Sequence, residues 1–156
     1  MSHFFLDSSA LVKRYVTETG SGWLASITDA AAGNTLVVAE ITRVEVAAAI
    51  AARHRAPSGL SRSERDGAVA LLLKHFNDEY QIIALTPNIL SRAVDLTQAH
   101  TLRGYDALQL ATALAAHQAL LRAELLGLTF LVADHALLKA AQAEGLLAED
   151  PNAHIT

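Results

Sequence analysis

Four carboxylates stand in this sequence where short apolar runs end or helical segments begin. Asp7 closes the run His3 to Leu6, and Asp134 closes the run Leu128 to Ala133. Asp106 lies in Gly104-Tyr105-Asp106-Ala107-Leu108, at the start of a long Ala/Leu segment, and Glu45 lies in Ile41-Thr42-Arg43-Val44-Glu45-Val46. Gathered in one cleft, such groups repel one another and require a cation. An all-oxygen donor set suits Mg2+ or Mn2+, which leave positions for water and phosphate oxygens. Two such ions about 3.5–4 Å apart would activate a water and stabilise the leaving oxygen of a phosphodiester. Each acid also has a plainer reading. Asp106 suits the first turn of a helix by its charge, and Asp134 suits a helix cap. Asp7 is harder to explain so, because an acid directly after a buried strand needs a partner. Glu45 is harder still, with Val44, Val46 and alanines around it.

Strands and helices must bring these residues together. His3 to Leu6, Thr35 to Ala39, Gln81 to Leu85 and Leu128 to Ala133 are short apolar runs without alternation, as strands buried on both faces are. Between them, helices are predicted over Ile41 to Arg55, Ser61 to Asn77, Pro87 to Ala99, Tyr105 to Leu126 and Ala136 to Glu144. The Ser61-Arg62-Ser63-Glu64 capping box, Thr86-Pro87 and Gly145 mark ends of three of them. Ala10 to Val16 reads as helix too. Strands alternating with helices give an α/β fold of three layers, a mostly parallel sheet of four to five strands flanked by helices. In such sheets sites gather at the carboxyl ends of the strands, and there the four acids, distant in sequence, can meet.

The length of 156 residues suits one domain, 1–156, and 52% hydrophobic residues with only 8 Gly and 3 Pro exclude a disordered or collagen-like chain. With 0 Cys, disulfides, zinc knuckles, iron–sulfur clusters and thiol catalysis are excluded. The opening Met-Ser-His-Phe-Phe-Leu-Asp lacks the basic region of a signal peptide, and no apolar run approaches the roughly 20 residues of a membrane span. A cytoplasmic protein without a membrane partner is expected. The net charge of −4 argues against a coat that binds nucleic acid by bulk charge, but leaves a nuclease open.

Other motifs fail on context. Gly20-Ser21-Gly22-Trp23-Leu24-Ala25 has the spacing of a dinucleotide fingerprint but follows a helical stretch instead of a strand. No phosphate-binding Gly-x-x-x-x-Gly-Lys occurs, Asp7-Ser8-Ser9 lacks the second Asp of an aspartyl-phosphate signature, and the 7 His are scattered singly. Glu40, five residues before Glu45, falls on a different side of the helix and reads as a cap or surface residue.

Phe5-Leu6-Asp7-Ser8-Ser9-Ala10-Leu11-Val12-Lys13 resembles the opening of PIN-domain ribonucleases, especially the VapC-type toxins of toxin–antitoxin pairs. Ile41 to Val46 resembles their second motif, Leu102 to Ala111 their third and Phe130 to Leu138 their fourth, in order over nearly the whole chain. The resemblance implies that Asp7, Glu45, Asp106 and Asp134 bind one or two Mg2+ or Mn2+ ions and are the catalytic quartet. Ser9 would support them by a hydrogen bond to a carboxylate or to a water on the metal. It implies an endoribonuclease that hydrolyses RNA with a metal-activated water, forms a homodimer and is silenced by a cognate antitoxin. The stretch between Asp106 and Asp134 is longer than is usual for the family, and Ala116 to Gly127 reads as a helical extension. Among basic residues, Arg43 and Arg103 flank site residues, and Lys13 and Arg14 follow the first acid; all four are candidates for phosphate contact. Two other readings stand beside this one: a partner-binding module that keeps the fold without catalysis, and a nuclease for DNA or 5′ ends built on the same acids.

Overall fold

Successive strand residues point to opposite faces of a sheet, and here both faces are covered. In the computed structural model, which describes residues 2–155, His3–Leu6 (β1), Thr35–Ala39 (β2), Gln81–Ile83 (β3), Thr129–Leu131 (β4) and Leu147–Glu149 (β5) form one sheet. Met1 and Thr156, the ends of the expected 1–156 domain, lie outside the described residues. The strand order is β3-β2-β1-β4-β5, and every neighbouring pair is parallel. Phe5, Val37 and Phe130 enter one core, beneath the helices Pro87–Ala99 (α5), Gly104–Arg122 (α6) and His135–Ala143 (α7). Leu6, Leu36, Val38 and Leu131 enter the other, beneath Ser8–Leu11 (α1), Ser21–Thr28 (α2), Thr42–Arg55 (α3) and Arg62–Asp78 (α4). Residues that alternate between two apolar cores leave no polar face, so the strand runs read as continuous apolar sequence. The three-layer α/β architecture is the expected one.

Helix ends show where sequence signals suffice. Ser61 and Glu64 form a reciprocal capping box at α4, and Thr86 caps α5 ahead of Pro87. Gly145, with φ 92°, ends α7 while Leu146 N–H reaches back to the Ala141 carbonyl. At α6 the expectation of a helix reaching Leu126 is corrected. The helix stops at Arg122 in the same kind of motif, with Glu124 at φ 60° and Leu125 N–H bonded to the Leu120 carbonyl. A glutamate in the left-handed conformation carries no sequence signal, which is why the stop was hidden. The following segment packs back on α6, where His117 Nδ1 accepts from Leu128 N–H and a side chain at Gly127 would collide with the His117 ring.

The chain steps from β1 outward to β2 and β3, then crosses to β4 and β5 on the other side of β1. The order therefore reverses between β1 and β4, and the crevice beyond their carboxyl ends is the place such sheets offer a ligand.

Candidate active site

Asp7 follows β1 directly and is the N-cap of α1, its Oδ1 accepting from Ala10 N–H at 2.9 Å. Ser9 Oγ donates to both carboxylate oxygens, at 2.7 and 2.9 Å, and accepts from Ala133 N–H at 2.9 Å. Asp7 N–H itself bonds the Leu131 carbonyl. One hydroxyl thus ties the first acid to the end of β4 across the switch point. Ser9 Oγ thus makes a hydrogen bond to a carboxylate, the contact through which a supporting role would act.

Asp134 caps α7 through Oδ1, which accepts from Leu137 N–H at 2.9 Å. Asp106 sits half-buried in the first turn of α6. Glu45, in the first turns of α3, is held at both oxygens: Gln109 Nε2 donates to Oε1 at 2.7 Å and Ser8 Oγ to Oε2 at 3.2 Å. Gln109 Nε2 also donates to Thr42 Oγ1 at 2.8 Å. Capping and site roles coincide here, because a helix starting at the carboxyl end of a strand presents its cap at the same edge.

Electrostatics link the four. Asp7 is only 2% exposed, and burial pushes its carboxyl up to about 7 against the hydrogen bonds from Ser9 and Ala10, with the charges of Asp106 and Glu45 adding to the rise. Burial also raises Glu45, opposed by Gln109 and Ser8 and reinforced by Asp106. Asp106 is raised by burial and then by Asp134, against Arg103. None of the four forms an ion pair with Lys, Arg or His among the described residues. The edge is therefore a set of mutually repelling carboxylates without an ion-pair partner among the described residues. Among the described residues no three His, Cys, Asp or Glu side chains are gathered as a metal-ligating group; the acids share an edge and feel one another's charge, without closing on one point.

The basic residues divide. Arg103, exposed at the N-cap of α6, lies near enough to Asp106 to favour its ionised form. Arg43 turns from the edge and stacks on the Phe76 ring of α4, 4.9 Å from its centroid. Lys13 and Arg14, expected to contact phosphate, are engaged within the chain. Lys13 is buried against Glu18 at 2.9 Å, and Arg14 bonds Tyr80 Oη and Glu79, each at 2.8 Å. Glu40 is neither a cap nor free: its Oε1 accepts from Leu85 N–H at 2.8 Å.

Residue reasoning did not single out Ser8, Thr42 and Gln109 as site residues. Gln109 carried a signal, as an amide inside an Ala/Leu helix three residues after Asp106 and hence on nearly the same side.

The chain matches the PIN domain family over residues 4–144. Two curated relatives are "Ribonuclease VapC45" of Mycobacterium tuberculosis strain CDC 1551 / Oshkosh and "Ribonuclease VapC49" of strain ATCC 25618 / H37Rv. Each is 36% identical over 114 residues, 71% of this chain and 74% of the relative. Among solved structures, VapBC2 from Rickettsia felis, bound to a DNA fragment from its promoter, superposes with a TM-score of 0.61 at 14% identity, covering 95% of this chain and 98% of that one. A toxin-antitoxin complex from Klebsiella pneumoniae gives 0.53 at 19% identity, over 86% and 87%. At these identities the two structures show a shared fold.

Proposed function

The chain belongs to the PIN domain family, and from that premise we propose that it is a divalent-metal-dependent endoribonuclease, the toxin of a toxin–antitoxin pair. The observation that carries this reading is the acidic edge: Asp7 buried with a carboxyl pushed up to about 7, feeling the charges of Glu45 and Asp106, and none of them in an ion pair among the described residues. A fold that buries a carboxylate beside two others normally supplies a partner. The donor set is all oxygen, which fits Mg2+ or Mn2+. Asp7, Glu45, Asp106 and Asp134 would hold one or two such ions. When bound, the metal supplies positive charge to activate a water and to stabilise the leaving oxygen of the phosphodiester.

The chain's own groups do the rest. Asp7, protonated up to about pH 7, would bind the metal as a carboxylate, so binding would be coupled to proton release. Ser9 fixes the plane of the Asp7 carboxylate while its oxygen is held by Ala133 N–H. Arg103, exposed and near enough to Asp106 to favour its ionised form, is the proposed contact for a substrate phosphate. The relatives named ribonucleases support RNA as the substrate. An antitoxin is the proposed partner, supported by the toxin–antitoxin complexes that share the fold. Exposed Leu90, Val94 and Tyr105 line an apolar groove between α5 and α6 beside Asp106, of the kind a protein partner covers. The unit is proposed to be a single domain acting in the cytoplasm as a homodimer; no helix among the described residues is long and apolar enough to cross a membrane.

Cleavage of a structured RNA and of a DNA of the same sequence, each with Mg2+ and with excess chelator, tests the reading. RNA cleavage that the chelator stops is expected. Cleavage of DNA alone would move the activity to a DNA nuclease, and cleavage of neither would favour a binding module.

A further inference from the structure

We propose that Gln109 is a positioning residue that holds the Glu45 carboxylate in its metal-binding orientation, linking the second acidic segment to the third. Gln109 lies on α6 three residues after Asp106 and is 1% exposed. Both hydrogens of its amide are used, one on Glu45 Oε1 at 2.7 Å and one on Thr42 Oγ1 at 2.8 Å. Its carbonyl, Oε1, is buried without any hydrogen-bond partner, alone in this among the buried side-chain polar atoms of the described residues.

That orphan shows what the amide is for. A leucine or methionine in its place would leave no buried carbonyl unpaired, but it would strip Glu45 Oε1 and Thr42 Oγ1, across the sheet edge on α3, of their donor. The amide is also fixed in its sense. Turned over, it would set its carbonyl against the ionised Glu45 oxygen and lose both donated bonds. The arrangement therefore favours ionised Glu45 and fixes one of its oxygens, while Ser8 holds the other from α1. Each carboxylate oxygen keeps lone pairs beyond the one it uses here. A group that orients a ligand in this way acts on metal affinity without touching the ion.

The inference rests on the metal reading of the site, and the test separates the two. Mn2+ is titrated calorimetrically into the full chain, wild type, Gln109→Met and Gln109→Asn, and the metal-free melting temperature of each is recorded. Methionine keeps the volume and removes the donors; asparagine keeps an amide but draws it back by one methylene, and serves should the methionine variant not fold. Binding weakened about 10- to 100-fold in either variant is expected, with the metal-free melting curves showing each variant folded at the titration temperature. Wild type and folded variants binding Mn2+ equally would overturn the positioning role alone. A wild type that binds no Mn2+ would overturn the metal reading and this inference with it.

Discussion

Two polar clusters are buried against this sheet, and they handle charge in opposite ways. Near the start of β3, Arg14 bonds Tyr80 and Glu79, Tyr15 bonds both Tyr80 and His75, and His75 faces Glu79 at 3.5 Å. Burial and Arg14 hold His75 below its ordinary value. Every charge there has an opposite within the chain. Beside it, Glu18 takes both Lys13 and Arg53. At the carboxyl ends of β1 and β4 the carboxylates have hydroxyl, amide and backbone donors and, among the described residues, no ion-pair partner. The first cluster is complete as folded and joins elements. The second has carboxylates that raise one another's pKa, the pattern expected of the proposed metal site.

The largest effect expected is at Asp7. Asp7→Asn keeps a capping side chain but should lower RNA cleavage by about 100-fold or more, since it removes a charge the metal needs. It should also stabilise the metal-free protein. Folded Asp7 keeps its proton to about pH 7, whereas the unfolded carboxyl releases it near 3.8. Between those values the folded state binds more protons, so wild-type stability falls as pH rises through that window and stays low above it. The variant lacks this fall and at pH 8 should be more stable by on the order of 4 kcal/mol, as urea denaturation at pH 4 and pH 8 would show. Equal pH profiles would break the contrast between the two clusters.

Next in size is Arg14→Met in the balanced cluster. It leaves Glu79 and the Tyr80 hydroxyl without their donor and should cost about 1–3 kcal/mol of stability, with RNA cleavage by the folded variant unchanged. Lost RNA binding instead would return Arg14 to the phosphate role. A smaller change is expected for Ser8→Ala, whose bond to Glu45 is long: Mn2+ binding weaker by about tenfold or less, measured by calorimetry. The smallest is Arg53→Ala, an exposed partner of Glu18 with Lys13 still in place, within about 0.5 kcal/mol of wild type by urea denaturation.

The strands were legible because β1, β2 and β4 bury both faces and so stand out as unbroken apolar runs, and Asp7 and Asp134 were legible as the acids that end two of those runs. β5 was not, because it is three residues at an edge with Leu147 exposed. The helix α2 was hidden behind the Gly20-Ser21-Gly22 start that imitates a nucleotide loop. The fates of Lys13 and Arg14 depend on Glu18 and Glu79, and Glu79 lies 65 residues from Arg14; local sequence gives no sign of such a pairing. Gln109 was visible as an amide in an apolar helix, but its partner Glu45 is 64 residues away, on a helix of the opposite layer, and only the meeting of the two at the sheet edge makes the contact.

The central claim is that the acidic edge takes a divalent cation. The direct measurement is a Mn2+ titration of the wild type and Asp7→Asn side by side at pH 8, following heat and melting temperature. Saturable binding that raises the wild-type melting temperature, and is lost in Asp7→Asn, is the predicted result. A wild type that neither binds nor is stabilised, or a variant that binds as tightly as the wild type, would contradict it.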